Sequence, residues 1–244
     1  MEIKLNAVAL KSVDYKDNDK MLTLFSLEQG KIGAGVRGVK KAGAKLGFCV
    51  QPFCFAEYVL SVNGERATVV GATELESFYK IRLNPRAFYA GSGILEYLLK
   101  VCETNAPDEK LFFLAINSLK ALNFGEKSPE CVLAEFLFNA LYLSGYGISG
   151  VTCAGCDKTA GEFERAYFDF ESGELYCENC RTEKMREIMP VTAQAIAFLN
   201  DKKEILPESA LYALKFLSFY IKLKVGENLK SVDELVKFVE LTTV

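Results

Sequence analysis

Two C-x-x-C motifs, separated by twenty residues, place the strongest constraint on how this chain can fold. They are Cys153 with Cys156 and Cys177 with Cys180, in the stretch VTCAGCDKTAGEFERAYFDFESGELYCENCRTEK. Each pair can bind one side of a single metal ion while the residues between the pairs fold back as a short hairpin. Within that segment, RAYFDFESGELYC alternates apolar and polar residues around a turn at residues 171–173, which predicts two short strands leading to the second pair. The pattern is typical of a zinc ribbon.

The number of ligands indicates what such a site does. Four thiolates complete the tetrahedral coordination of Zn²⁺, whereas a catalytic zinc keeps one position open for water, so a structural zinc is predicted. A redox C-x-x-C pair and an iron–sulfur cluster stay open as alternatives, although paired ribbon spacing fits one ion better than either. The other four cysteines stand singly among apolar neighbours and are interpreted as small buried hydrophobic residues: Cys49, Cys54, Cys102 and Cys131.

Histidine is absent from the 244 residues, which excludes Ser-His-Asp triads, Cys-His nucleophiles and histidine general bases. The N-terminus has charges scattered among its apolar residues and lacks the order of a secretory signal. The most apolar stretch, CVLAEFLFNALYLSGYG, is short for a bilayer span and contains Glu135 and Asn139. We therefore expect a cytoplasmic protein without a membrane segment.

The first eighty residues predict a small β-barrel. Five short apolar or alternating runs are separated by turn residues, and the last two runs are joined at Asn63-Gly64, a strong hairpin signal. This density of short strands favours an OB-fold over a sandwich. About six helices follow, with apolar residues at helical spacing and with starts such as Asn84-Pro85 and Ser128-Pro129. The predicted class is α+β multidomain, with an OB-fold at 1–80, a helical domain at 81–150 and 188–244, and an inserted ribbon at 151–187.

Charge is unevenly distributed along a chain whose formal net charge is −3. Residues 29–56 are rich in glycine and carry five cations with no Asp or Glu, so their backbone can approach a phosphodiester and their cations can follow it. A solvated loop is the alternative that the sequence leaves open. Residues 151–190 carry five cations against nine anions, which favours a scaffold or a protein contact over phosphate binding. The five cations of the first stretch are Lys31, Arg37, Lys40, Lys41 and Lys45.

The order of these features resembles the bacterial RecO family of recombination mediators. The stretch AVALKSVDYKDNDKMLTLFSLEQGKIGAGVRGVKKAGAKLGFCVQPF is similar to the family's strand, acidic turn, strand and glycine-basic region. Further on, ELESFYKIR and LSGYGISGVTCAGC are similar to its barrel exit and to its approach to the ribbon. The resemblance runs almost from end to end.

This resemblance implies an N-terminal OB-fold, a helical domain and a four-cysteine zinc site in a protein that is not an enzyme. It implies binding to single- and double-stranded DNA, annealing of complementary strands, and work with RecR to load RecA onto DNA coated by single-strand-binding protein. The C-terminal tail of that protein would be a further partner, and a cytoplasmic location at the nucleoid would follow. Carried onto this chain, metal ligation falls on Cys153, Cys156, Cys177 and Cys180, and DNA contact falls on Arg37, Lys40, Lys41 and Lys45 with Lys31 nearby.

Two groups of side chains stay undecided from the sequence. Lys215, Lys222 and Lys224 could line a basic and apolar groove for an acidic tail, or they could belong to an ordinary solvated face. A zinc-ribbon adaptor that contacts only proteins is the alternative function, and a cysteine-based redox enzyme is another. Aromatic residues that could stack on bases, unless strand alternation buries them, are Tyr15, Phe25, Phe48 and Phe53.

Overall fold

The computed structural model describes residues 1–242, and the chain divides into two compact units. The first unit is Met1–Phe124, and the second begins at Gly125. The boundaries predicted at residues 80, 150 and 187 divide the chain more finely and stay predictions. None of the helices within residues 1–242 combines the length and the hydrophobicity that a bilayer span requires.

A closed five-stranded barrel forms the N-terminal part of the first unit. Its strands run in the order β1-β2-β3-β5-β4, with β1 also paired to β4 and with β3 paired to β5 in parallel. The turn at Asn63-Gly64 joins β4 to β5, with Gly64 at a φ of 58°. The predicted OB-fold is confirmed. The strands are β1 (Glu2–Tyr15), β2 (Asp19–Ser26), β3 (Gly30–Val36), β4 (Phe55–Asn63) and β5 (Arg66–Glu76).

Residues 37–54, which we call the basic turn segment, connect β3 to β4 without a helix or a strand. The segment is a succession of tight turns, in which the backbone N–H groups of Lys41, Ala44 and Gly47 each donate to the carbonyl three residues earlier. Its apolar side chains pack into the barrel core, so its charged side chains are left at the surface. The packed residues are Val39, Leu46, Phe48, Cys49, Val50 and Cys54.

Three helical segments complete the first unit: a short 3-10 helix (Tyr79–Leu83), α1 (Pro85–Val101) and α2 (Glu109–Phe124). The Asn84 side chain accepts hydrogen bonds from the first turn of α1, which confirms the predicted cap. Helix α1 approaches the barrel closely at Gly91, where a Cβ atom would lie 3.0 Å from the Phe53 ring. The barrel and its helices therefore form one packed body.

The second unit contains the remaining helices and the ribbon. The ribbon sheet has the order β7-β6-β8, and its Phe168 packs edge-on against Phe216 at 4.8 Å between ring centroids. The prediction of about six helices agrees with the six α-helices within residues 1–242, whereas the third ribbon strand was not predicted. The elements are α3 (Pro129–Leu143), β6 (Ala166–Asp169), β7 (Glu174–Cys177), β8 (Arg186–Ile188), α4 (Pro190–Asn200), α5 (Pro207–Lys224) and α6 (Lys230–Thr242).

Candidate metal centre and candidate nucleic-acid interface

The four ribbon cysteines converge on one point. Their Sγ atoms all lie within 4.8 Å of one another, and the Sγ atoms of Cys156 and Cys177 are 3.6 Å apart. Sulfurs at about 2.3 Å from a tetrahedral Zn²⁺ would be about 3.8 Å from each other, so the cluster has the size that such an ion needs. Strand β7 ends at Cys177, as predicted, and a tight turn leads to Cys180, whose N–H donates to the Cys177 carbonyl at 3.2 Å.

The backbone around Cys153 is arranged to support a thiolate. The N–H groups of Gly155 and Cys177 donate to the Cys153 Sγ at 3.4 and 3.3 Å. Gly155 also has no room for a side chain, because a Cβ atom there would lie 2.8 Å from the Cys180 Cβ and 3.0 Å from its Sγ. A glycine is therefore required where the two C-x-x-C turns meet.

The four thiols differ in acidity. Burial opposes ionisation of Cys153, but hydrogen bonds from the backbone of Cys177, Gly155 and Cys156 outweigh it and lower the pKa to about 7. Hydrogen bonding to Cys156 and then burial raise the pKa of Cys180 to about 12. Four thiolates this close repel one another, and a divalent cation among them would remove that repulsion. The cluster can hold a metal ion, and the identity of the ion stays a prediction.

At least three of the five ribbon cations are engaged within the ribbon itself. Lys158 pairs with Glu178 at 2.9 Å, and Arg165 binds both carboxylate oxygens of Glu187. The Arg181 guanidinium lies 5.1 Å from the centre of the Tyr167 ring. These contacts, together with the excess of acidic residues, leave the ribbon with little unengaged positive charge.

Lys40 is the member of the basic turn segment that has an acidic partner. Its Nζ lies 2.9 Å from Asp14, a residue of β1 that also pairs with Lys20 at 3.0 Å. Hydrogen bonds from Lys40 and then Lys20 hold the pKa of the Asp14 carboxyl below its usual value. Much of the positive charge of Lys40 is thus compensated locally.

Arg37, Lys41 and Lys45 differ from Lys40 in having no hydrogen-bond or ion-pair partner for their side chains among residues 1–242. All three are exposed, and all lie on the succession of turns described above. Val39, between Arg37 and Lys41, is buried in the barrel core, and Leu46, next to Lys45, packs against it, so both ends of this stretch are anchored. The role of the three cations in DNA binding stays a prediction.

Lys31 lies apart from the other predicted cations, near the start of β3, whereas the basic turn segment follows its end. Six residues of strand separate Lys31 from Arg37, or about 20 Å. The Lys31 ammonium donates to the Leu99 carbonyl at 2.7 Å, in the last turn of α1. Because the Lys31 side chain is hydrogen-bonded to α1 at this distance, it is poorly placed to contact the same DNA strand as Lys41.

Only Tyr15, of the four aromatic candidates for stacking, is exposed. Phe25 and Phe53 are buried in the first unit, and the half-buried Phe48 packs against the barrel core. The Tyr15 side chain is 50% exposed at the end of β1, and the Lys16 ammonium lies 5.3 Å from its ring centre. Phe25 is buried from strand β2, Phe48 and Phe53 are covered by packing of the basic turn segment, and Tyr15 is left at the surface.

The outer face of β3 has few side chains. Gly33 and Gly35 occupy outward positions on β3, opposite Thr23 and Met21 of β2, and a Cβ atom at Gly33 would meet nothing within 4 Å. The barrel surface is consequently open over these strands, which are the ones that OB-folds use to bind oligonucleotides. The sequence showed the glycines, but their common outward direction depends on the strand register.

The three lysines considered for an acidic tail have different surroundings. Lys215 pairs with Glu240, and Lys224 donates to the Glu171 carbonyl at 3.2 Å, while Lys222 is exposed with no partner among the described residues. A cavity of about 220 Å³ is lined by Glu208, Leu211, Tyr212, Lys215 and Glu240. Its two carboxylates make it a mixed-charge site, not a basic one.

Two family models together match almost the whole chain. The family model described as "Recombination protein O N terminal" matches residues 1–78, and "Recombination protein O C terminal" matches residues 82–233. The chain belongs to the recombination protein O (RecO) family. Membership in this family of DNA repair and recombination proteins confirms the resemblance drawn from the sequence.

Individual RecO proteins are similar over most of their length. "DNA repair protein RecO" of Caldicellulosiruptor saccharolyticus is 27% identical over 238 residues, covering 95% of this chain and 96% of the relative. The protein of the same name from Myxococcus xanthus is 29% identical, with 93% and 94% covered. That of Clostridium novyi is 30% identical over 177 residues, with 72% and 68% covered.

Proposed function

We propose that this RecO-family protein binds DNA strands on its barrel and anneals complementary strands without catalysing a covalent step. The observation that carries the proposal is a group of exposed cations with no side-chain partner among residues 1–242, Arg37, Lys41 and Lys45, on a segment anchored in the barrel core. They stand beside an open β2–β3 face and one exposed aromatic ring, Tyr15. Cations and an aromatic platform are the two components of sequence-tolerant single-strand binding.

Annealing by such a surface requires electrostatics and no reactive side chain. Each phosphate that a lysine or arginine neutralises releases counterions, so binding should weaken steeply with salt and vary little with base sequence. A strand whose charge is partly neutralised repels its complement less, and base pairing then supplies the free energy of annealing. Lys40 should contribute less than Lys41, because Asp14 already compensates it.

The metal centre has a structural part in this proposal. The ligand geometry of Cys153, Cys156, Cys177 and Cys180 fits Zn²⁺, which stabilises the turns of the ribbon when bound. Four protein ligands leave no open coordination position for a substrate. The backbone of Gly155 and Cys177 orients the Cys153 sulfur, and the ribbon hairpin packs through Phe168 onto α5.

Family membership supports the wider pathway. We propose that the protein acts with RecR to load RecA onto DNA coated by single-strand-binding protein, in the cytoplasm at the nucleoid. Double-stranded DNA and the C-terminal tail of the single-strand-binding protein are further proposed partners.

The test is binding of a labelled oligo-dT, followed by fluorescence anisotropy over a salt series, for the native chain and for Lys41→Glu/Lys45→Glu. We expect the variant to bind at least tenfold more weakly at low salt, and to have a shallower salt dependence, because two phosphate contacts become repulsive. Lys222→Glu is the matched control, since it reverses an exposed, unpaired lysine in the other unit.

Three other results would contradict the proposal. If Lys222→Glu weakened DNA binding as much as Lys41→Glu/Lys45→Glu does, the overall charge of the protein, and not a localised site, would explain the binding. If Lys41→Glu/Lys45→Glu bound DNA as tightly as the native chain, the barrel would not be the binding surface. Failure of the native chain to bind DNA even at low salt would favour the zinc-ribbon adaptor that contacts only proteins.

A further inference from the structure

The solvent-exposed face of α2 carries lysines and aromatic residues in alternation. Lys110, Phe113, Asn117, Lys120 and Phe124 follow one another at helical spacing, and all five are exposed. Together they extend over about 21 Å of helix, fourteen residues at about 1.5 Å each. The opposite face of α2 carries the residues that pack in the first unit, such as Phe112 against Phe25.

The short 3-10 helix extends this row at the C-terminal end of α2. The Lys80 ammonium lies 5.9 Å from the centre of the Phe124 ring, and the Lys80 N–H donates to the buried Asn123 side chain at 3.0 Å. Tyr79, next to Lys80, is 58% exposed. We call the row formed by Tyr79, Lys80, Lys110, Phe113, Lys120 and Phe124 the α2 strip.

Two aromatic side chains of α2 are accessible to solvent. Phe113 and Phe124 are 45% and 58% exposed. A contiguous exposed apolar surface on a soluble protein commonly marks an interaction site.

Charge along the strip has one sign. Its three charged side chains, Lys80, Lys110 and Lys120, are cations, and none of them forms an ion pair with a carboxylate among residues 1–242; the exposed Glu109 and Glu126 lie just beyond the two ends of α2's row. The occupant should therefore be an anion with flat apolar groups at intervals. A helix surface is convex and offers rings to stack on instead of a pocket for a peptide side chain.

We propose that the α2 strip is a second surface for single-stranded nucleic acid, with bases stacked on Phe113, Phe124 and Tyr79 and phosphates held by Lys110, Lys120 and Lys80. It is separate in sequence from the basic turn segment, since none of its residues lies in 37–54. The inference rests on the proposed function in one respect: a second strand surface serves annealing only if the barrel holds the first strand. Two surfaces on one chain would allow two strands to be held at once.

Stoichiometry with a short oligo-dT of about eight nucleotides separates the two surfaces. We expect the native chain to saturate with two oligonucleotides. Lys110→Glu/Lys120→Glu should bind one, Lys41→Glu/Lys45→Glu should bind one, and the control Lys222→Glu should still bind two. All substituted side chains are exposed, so the fold should persist.

The outcomes distinguish failure of this inference from failure of the proposed function. Unchanged saturation in Lys110→Glu/Lys120→Glu, or a native chain that binds a single oligonucleotide and loses it in Lys41→Glu/Lys45→Glu, would overturn the α2 strip. If Lys110→Glu/Lys120→Glu lost all DNA binding while Lys41→Glu/Lys45→Glu lost no binding, the barrel assignment would be overturned instead. The α2 strip would then be the site that binds the strand.

A second variant tests stacking itself. Phe113→Leu/Phe124→Leu, made in the Lys41→Glu/Lys45→Glu background, keeps apolar side chains and removes the rings. We expect the remaining site to bind oligo-dT about tenfold more weakly for each stacked base lost. Equal affinity would contradict stacking. If the α2 strip bound an acidic peptide and did not bind oligo-dT, the inference would be overturned in favour of a protein partner.

Discussion

The basic turn segment and the ribbon are both built from tight turns, yet they use their charged residues in opposite ways. In the basic turn segment, apolar side chains buried in the barrel hold the turns, and Arg37, Lys41 and Lys45 are left without partners among the described residues. In the ribbon, cysteines converge on one point, and Lys158, Arg165 and Arg181 contact neighbouring carboxylates or an aromatic ring. The first arrangement is suited to recognition of an anion, and the second to holding a shape.

The difference shows that the number of cations in a segment does not measure its capacity to bind phosphate. The basic turn segment carries four basic residues, and the ribbon at residues 151–187 carries five. An ion pair at the surface contributes little to stability, but it does cancel the local field that a phosphate would meet. Unpaired cations on an anchored backbone are therefore the better indicator.

Removal of a metal ligand should have the largest effect on stability, and that effect should be confined to the ribbon. We expect Cys177→Ser to lose bound zinc and to lower the free energy of unfolding by about 4 kcal/mol, a size typical of a lost metal site. Zinc analysis and chemical denaturation would measure this, with Cys102→Ser as the control outside the ribbon. Oligo-dT binding should persist in the folded protein, and its loss would show that the ribbon takes part in recognition.

A methyl group at Gly155 should have the next largest effect. Gly155→Ala places a Cβ atom 2.8 Å from the Cys180 Cβ, so the two C-x-x-C turns must move apart, at a cost of about 1–3 kcal/mol. Gly161→Ala in the same ribbon is the matched control, because its nearest neighbour would be 3.9 Å away. Zinc affinity measured by chelator competition should fall only in Gly155→Ala; equal affinities would mean that the turns do not need this close approach.

Replacement of the exposed ring of Tyr15 should weaken single-strand binding without affecting stability. We expect Tyr15→Ser to lower oligo-dT affinity about tenfold through lost stacking, with the melting temperature unchanged. Tyr142→Ser removes another exposed tyrosine, in the second unit, and serves as the control. Similar affinities for the two variants would exclude Tyr15 as a stacking platform.

The smallest expected effects concern Lys40 and its partner. Lys41→Ala should flatten the logarithmic salt dependence by about one unit, whereas Lys40→Ala should change it less, because Asp14 already compensates Lys40. Asp14→Asn should strengthen binding a few-fold, since it releases both Lys40 and Lys20. Weaker binding in Asp14→Asn would contradict this view of the ion pair.

Local patterns made the fold largely predictable. The four cysteines, the Asn63-Gly64 hairpin and the caps at Asn84 and Ser128 are each specified by residues close in sequence, and each is present in the structure. Strand β8 was not predicted, because three residues of mixed polarity, Arg186–Ile188, carry no strand pattern of their own and pair only with β6.

The electrostatic detail was less predictable, because it depends on contacts between distant residues. The partner of Lys40 is 26 residues away on β1, and Lys31 donates to a carbonyl 68 residues away. Burial of Phe25 and Phe53, and exposure of Tyr15, follow from packing between the barrel and α1 and α2. A linear count of charges or aromatic residues contains none of this information.

The most direct measurement compares two triple variants that remove the same charge from the two regions. Arg37→Gln/Lys41→Gln/Lys45→Gln and Lys158→Gln/Arg165→Gln/Arg181→Gln would be titrated with oligo-dT by anisotropy over a salt series, after each is shown to contain one zinc per chain. We predict a salt dependence flattened by about three units in the barrel variant and unchanged in the ribbon variant. Equal flattening in both variants, or flattening in the ribbon variant alone, would contradict this prediction.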